Sequence, residues 1–126
     1  MSLTAAIGRT PLVRLCSIVP ADSPEVWIKC EGNNPTGSYK DRMAFGVISK
    51  ALDRGDLKVG DRICEYTGGS TGTSIAFASS ILGLKSTAVT FTAFAASKIH
   101  AIRTYGADSL LFASADSRIR YVSDAT

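Results

Sequence analysis

Hydrophobic and polar positions along this chain follow two different periods, and the period changes near residue 39. Before that point, residues 11–16 and 26–31 alternate apolar and polar side chains, which predicts two short strands. From residue 39 onward, apolar side chains recur at helical spacing until Gly55, a residue that favours the end of a helix. The pattern therefore predicts two strands followed by one helix.

The rest of the chain repeats a strand and a helix. The predicted segments are strands at 62–66, 86–92 and 109–112, and helices at 74–82 and 97–105. Ser97 is the predicted cap of the second of these helices, and residues 114–126 can begin a further one. Strands that alternate with helices of about ten residues form a parallel sheet with flanking helices, so the predicted fold class is α/β.

Composition narrows the classes of protein to consider. The chain has 126 residues, of which 45% are hydrophobic and 20% are charged, and its formal net charge is +3. This balance argues against a fully disordered chain. No apolar run approaches the ~20 residues of a membrane span. The positive charge is small and scattered, so we expect neither a membrane nor a nucleic acid as partner.

Cysteine and histidine offer little chemistry. Cys16, Cys30 and Cys64 match no zinc or redox spacing, and each has apolar neighbours. We therefore expect buried free thiols in a reducing compartment such as the cytoplasm. His100 is the single histidine, so neither a metal site nor a Ser-His-Asp triad is expected.

The first segment that can carry chemistry is 34–42, where a turn-rich loop runs into a helix at Lys40. The positive end of the helix dipole disfavours a cation there, which favours the neutral amine that Schiff-base chemistry requires. The alternative is an ordinary surface lysine at the start of a helix, next to Asp41.

The second segment, 65–74, follows a strand and opens a helix. Its glycines let a ligand approach the backbone, and the free N–H groups of a helix start favour a carboxylate or a phosphate. The alternative is a tight connection with a Ser or Thr cap. The chain lacks the Lys-Ser/Thr that completes a P-loop and has no Gly-x-Gly-x-x-Gly, so nucleotide-binding motifs are absent.

In this order, the segments resemble the N-terminal portion of the cysteine synthase and cystathionine β-synthase family. These are fold type II pyridoxal-phosphate enzymes of the tryptophan synthase β group. The segments that carry the resemblance are 7–15, 28–31, 34–42, 67–72 and 105–107.

The resemblance implies roles for individual residues. Lys40 would hold pyridoxal 5'-phosphate covalently and act as base and acid at the substrate α-carbon. The residues that would bind the α-carboxylate of a small amino acid are Thr67, Gly68, Gly69 and Thr71. Ser70 would face the cofactor's phenolic oxygen, where the family usually has Asn, and Gly68 replaces the family's usual Ser. The shorter donor at 70 leaves the choice of substrate open.

The implied reaction is β-elimination and β-replacement on an activated L-serine to make L-cysteine, in a homodimer. Serine or threonine dehydration and a non-catalytic interaction fragment are the alternatives. The resemblance also implies that residues 1–35 pack in the large domain's sheet and that 36–126 form the small domain. No second glycine-rich loop for the cofactor phosphate occurs in 107–126, so we expect a fragment that is inactive alone.

Overall fold

The computed structural model describes residues 3–112, and the predicted helix at 114–126 lies outside them. Ten elements follow one another in the order of the sequence. They are a 3-10 turn at Leu3–Ala6, β1 at Leu12–Arg14, β2 at Trp27–Lys29, a 3-10 turn at Glu31–Asn33, α1 at Lys40–Arg54, β3 at Arg62–Tyr66, α2 at Ser70–Ile81, β4 at Lys85–Phe91, α3 at Ala96–Thr104 and β5 at Asp108–Phe112.

β3, β4 and β5 form a parallel sheet in that order, which confirms the predicted α/β class. Glu65 is in register with Ala88, and Ala88 with Ser109. Because every strand runs the same way, the segments that follow β3 and β4 emerge at one edge of the sheet. The glycine-rich loop after β3 is thus at the same edge as the segment that leads into α3.

The core lies between this sheet and the three helices. One cluster of buried side chains joins α1 and α2 through Ala44, Ile48 and Ala78, with Ile63 of β3 packed against it. A second cluster joins α2 to β4 and α3, and contains Ala76, Ala88, Ile102 and Ala107. On β3 the exposed side chains alternate with half-buried ones, and the half-buried Ile63 packs against the cluster of α1 and α2.

The two N-terminal strands form a separate antiparallel pair, with Val13 opposite Ile28. Both are shorter than the predicted 11–16 and 26–31, and all six of their residues are exposed. Four large apolar side chains on the pair are 45–58% exposed: Leu12, Val13, Trp27 and Ile28. Leu12 and Trp27 lie on one face of the pair and Val13 and Ile28 on the other, and both faces are exposed within residues 3–112.

Two predicted helix starts are wrong. α2 begins at Ser70 rather than at residue 74, because the hydroxyl of Thr67 accepts the N–H of Gly72 and so caps the first turn. α3 begins at Ala96, and the predicted cap Ser97 lies inside it. The carbonyl of Ala95 accepts the N–H of Lys98 at 2.9 Å, so the backbone begins this helix without a side-chain cap.

The prediction of buried thiols is also wrong. Cys16 and Cys64 are exposed and Cys30 is half-buried, and all three are free thiols. Cys64 lies on the opposite side of β3 from Ile63, which packs against the cluster of α1 and α2. Within residues 3–112, no helix has the length and apolarity needed to cross a membrane. The same residues bring no three His, Cys, Asp or Glu side chains into a metal-binding group.

Candidate functional site

The loop between β3 and α2 exposes unpaired N–H groups at its tip. Thr67 Oγ1 accepts the N–H of Gly69 at 3.3 Å and that of Gly72 at 3.0 Å, and Thr67 itself is buried. The loop has three further N–H groups without an acceptor within residues 3–112, those of Gly68, Ser70 and Thr71. Three donors at the start of a twelve-residue helix form an environment that favours an anion.

The glycines of this loop are required by close neighbours. A Cβ atom at Gly68 would lie 2.6 Å from ring carbons of Phe94, and one at Gly72 would lie 2.9 Å from Ile102 Cδ1. Both distances are too short for real contacts. The Phe94 ring occupies the space that a serine at position 68 would need, which gives a physical reason for glycine there.

The predicted cofactor and carboxylate residues Ser70 and Thr71 leave their hydroxyl groups free. Neither hydroxyl forms a hydrogen bond within residues 3–112, and both residues are half-buried. Thr71 lines an apolar groove of about 430 Å³ between α1, α2 and β3, together with Met43 and Glu65. Two hydroxyl groups and three N–H groups are therefore available to a ligand at this helix start.

Lys40 is the first residue of α1, and Tyr39 precedes it as the helix cap. The Lys40 ammonium lies 4.7 Å from the centre of the Tyr39 ring and forms no ion pair within residues 3–112. The carboxylate next in sequence, Asp41, does not pair with it. No carboxylate of residues 3–112 therefore holds the Lys40 side chain in an ion pair.

Asp41 belongs to a buried polar group that we call the inner cluster: Thr36, Asp41 and Ser74. The Asp41 carboxylate accepts the Thr36 N–H at 2.8 Å, the Thr36 hydroxyl at 2.5 Å and the Ser74 hydroxyl at 2.6 Å. Asp41 is 1% exposed and Ser74 is fully buried. The inner cluster ties the Lys40 segment to the first turns of α2, and so connects the two segments singled out from the sequence.

A second polar group, the outer cluster, holds the other side of the same segment. Its members are Thr10, Glu31, Asn34 and Arg42. Arg42 donates to both carboxylate oxygens of Glu31, at 2.8 and 2.9 Å, and Thr10 donates to the same carboxylate at 2.6 Å. The Arg42 guanidinium, followed by the Thr10 hydroxyl, lowers the pKa of Glu31 from 4.5 to about 2. The outer cluster connects the N-terminal segment to the loop before α1.

Sequence reasoning missed Thr36, Phe94 and Lys98 as neighbours of the predicted site. One signal could have found the last two: parallel strands bring the segments after β3 and β4 to the same edge. Thr36 gave no such signal, because its partner Ser74 lies 38 residues away in the sequence. The roles of Lys40, Ser70 and the carboxylate loop remain predictions, and the structure places them on two segments that the inner cluster joins.

Known proteins with similar sequences support the resemblance. Residues 3–126 match the family model described as pyridoxal-phosphate dependent enzyme. Cysteine synthase B of Salmonella typhimurium is 39% identical over 110 residues, which cover 87% of this chain and 36% of that protein. Cysteine synthase B of Escherichia coli is 40% identical over 110 residues, which also cover 87% of this chain and 36% of that protein. The chain thus spans about a third of the length of the curated relatives it matches.

Solved structures give the same result for the fold. O-ureido-L-serine synthase superposes with a TM-score of 0.84 at 38% identity, covering 89% of this chain and 35% of that one. The O-acetylserine dependent cystathionine β-synthase of Helicobacter pylori superposes with a TM-score of 0.80 at 30% identity, covering 89% and 37%.

The chain belongs to the pyridoxal-phosphate dependent enzyme family. Its relatives include cysteine synthases, and its fold matches about a third of the chain of O-ureido-L-serine synthase. The family's cofactor is pyridoxal phosphate. The residues described fit this group in two respects. Lys40 offers an amine without an ion-pair partner, and the 67–72 loop offers donors without acceptors.

Proposed function

We propose that this chain supplies the lysine and the carboxylate loop of a cysteine synthase-like enzyme that works by β-elimination and β-replacement on an activated L-serine. The observation that carries the proposal is the inner cluster. It holds Lys40 and the start of α2 together by hydrogen bonds of 2.5–2.8 Å on one buried carboxylate. A reactive amine and a carboxylate site held at fixed separation are what a small amino-acid substrate requires.

In this proposal the residues act at different atoms of the substrate. The unpaired N–H groups of the loop, with the Thr71 hydroxyl, bind the α-carboxylate. Lys40 would hold the cofactor covalently, and once the substrate's amine has displaced it, the released Lys40 amine would take and return the proton at the substrate α-carbon. Ser70 would face the cofactor's phenolic oxygen. Bound pyridoxal phosphate supplies the electron sink that makes loss of this proton possible.

Serine or threonine dehydration uses the same amine and the same carboxylate site. The relatives favour β-replacement, because they are cysteine synthases and synthases of other substituted serines. The proposal includes a homodimer in the cytoplasm, as the family resemblance implies. The large apolar side chains exposed on β1 and β2 support assignment of residues 1–35 to the sheet of the large domain.

We expect these 126 residues to convert no substrate by themselves. Cysteine synthase B of Salmonella typhimurium is more than twice as long, and residues 107–126 offer no glycine-rich loop for the cofactor phosphate. A chain extended to the length of the relatives is expected to absorb at roughly 410–430 nm when it carries the cofactor.

The assignment of Lys40 is testable on the 126-residue chain. The chain is incubated with pyridoxal phosphate, reduced with borohydride, digested and analysed by mass spectrometry. We expect the pyridoxyl label on Lys40, because the inner cluster holds its segment beside the start of α2, whose free N–H groups favour an anion such as the cofactor. Lys40→Ala should lose the label. Lys50→Ala, an exposed position on the same helix, should keep it. Equal labelling of all lysines would contradict the assignment.

A further inference from the structure

Lys98, in the first turn of α3, extends its side chain over the glycine-rich loop. A Cβ atom added to Gly69 would lie 3.0 Å from Lys98 Cδ and 3.5 Å from Lys98 Nζ. Gly69 is the cap of α2, so the ammonium group lies beside the start of that helix. The Lys98 side chain therefore belongs to the surroundings of the unpaired N–H groups.

Lys98 is exposed, and its charge has no counter-ion within residues 3–112. The ion pairs in this part of the chain join other residues. The backbone N–H of Lys98 donates to the carbonyl of Ala95, and the Lys98 side chain lies beside Gly69. A cation beside the positive end of a helix is repelled by it. An anion between the ammonium and the N–H groups would turn this repulsion into attraction.

The neighbouring side chain strengthens that effect. Phe94, four residues before Lys98, places its ring against Gly68 and is 37% exposed. The ring replaces water on one side of the loop. Because charges attract one another more strongly where less water surrounds them, an anion on this loop would be screened from Lys98 less than on an open surface.

We propose that Lys98 is a specificity-determining residue that binds the substrate's α-carboxylate together with the loop N–H groups. Lys98 thereby selects amino acids whose carboxylate is free over amides and esters of the same amino acids. This inference rests on the proposed function, because it takes the 67–72 loop as the carboxylate site.

The test is an NMR titration of the ¹⁵N-labelled 126-residue chain with two probes, L-serine and L-serinamide. The probes share the amine and the hydroxyl, and only L-serine has a carboxylate. In the unmodified chain, L-serine should shift the amide signals of Gly68, Ser70 and Thr71, and L-serinamide should leave them in place. Lys98→Met should weaken the affinity for L-serine by roughly threefold to fivefold, the range of a partly hydrated ion pair.

Two variants serve as controls. Lys98→Arg keeps the charge and should retain most of the affinity. Lys85→Met removes the same charge from the start of β4, at the opposite end of the sheet, and should leave the affinity unchanged. The loss in Lys98→Met should also shrink as sodium chloride is added, because salt screens a direct charge interaction.

The outcomes separate the two proposals. If L-serine shifts the loop signals equally in Lys98→Met and Lys85→Met, the role of Lys98 is refuted and the carboxylate loop is retained. If L-serine shifts none of these signals in the unmodified chain, the carboxylate loop itself is refuted, and the role of Lys98 with it. A threefold or greater loss restricted to Lys98→Met supports the inference.

Discussion

Asp41 and Arg42 are neighbours in sequence, yet they hold the lysine segment from opposite sides. Asp41 points inward and is 1% exposed, whereas the Arg42 side chain is 41% exposed. The inner cluster joins the segment to α2 with hydroxyl and backbone donors on one carboxylate. The outer cluster joins it to the N-terminal segment with a two-pronged ion pair.

The difference between the two clusters shows how burial changes the contribution of a polar contact to stability. In the inner cluster, water cannot replace a lost partner, so a missing acceptor leaves buried donors unsatisfied. In the outer cluster Thr10 and Asn34 are buried, but water and salt compete for the ion pair of Arg42 and Glu31, so this pair contributes less. We therefore expect the inner cluster to determine stability, and the outer cluster to make stability depend on pH.

The largest expected effect comes from Asp41→Ala. This change leaves the Thr36 N–H and the hydroxyls of Thr36 and Ser74 without their acceptor, and should lower the free energy of unfolding by about 3 kcal/mol. Urea unfolding followed by circular dichroism measures it. Asp53→Ala, an exposed position on the same helix, should change the value by less than about 0.5 kcal/mol. Similar losses in both variants would contradict the stabilising role of the inner cluster.

A smaller effect is expected from Gly8→Ala, on the outer side. Gly8 has φ +81°, and an added Cβ atom would lie 2.7 Å from Arg42 Nη1. The left-handed backbone conformation costs a non-glycine residue about 1 kcal/mol, and the end of the Arg42 side chain can move aside. The same urea unfolding experiment applies. Gly32→Ala is the control, since its added Cβ atom meets nothing within 4 Å.

A loss above about 3 kcal/mol in Gly8→Ala would show that the outer cluster is as sensitive as the inner one. Equal losses in Gly8→Ala and Gly32→Ala would show that neither the backbone conformation nor Arg42 matters at this position.

The smallest effect concerns pH. The pKa of Glu31 is lowered from 4.5 to about 2 in the folded chain, so folding favours its ionised form. This contribution is complete above pH 4.5 and is lost as the pH falls toward 2. The stability of the unmodified chain should therefore fall more steeply across this range than that of Glu31→Gln. Urea unfolding at a series of pH values compares the slopes, and parallel curves would exclude Glu31 as the cause.

Much of the fold could be predicted from local pattern. Strand β3 occupies the predicted residues 62–66, and α1 ends at Gly55, whose φ of 77° favours glycine. The start of α2 could not be predicted in the same way. Small and polar residues at 70–73 have weak helical preference, and the hydrogen bond from Gly72 to Thr67 that begins the helix spans a tight turn.

Prediction of the candidate site from sequence was similarly uneven. Lys40 and the 67–72 loop are conspicuous because rare residue combinations mark them. Only the alternative interpretation of Lys40 gives Asp41 a role, as the neighbour of a surface lysine, yet Asp41 is among the most buried side chains of residues 3–112. Its partner Ser74 is 33 residues away, and no local pattern reveals a hydrogen bond over that separation.

The sequence by itself determined the order of strands and helices, the α/β class and the positions of the lysine and the glycine-rich loop. These features depend on side-chain period, turn residues and helix ends, which act over a few residues. The tertiary structure decided that Asp41 faces inward, that Thr67 supports the loop with its hydroxyl, and that Phe94 and Lys98 cover it. Burial and hydrogen-bond partners arise only when distant segments pack together, because they depend on which groups exclude water from one another.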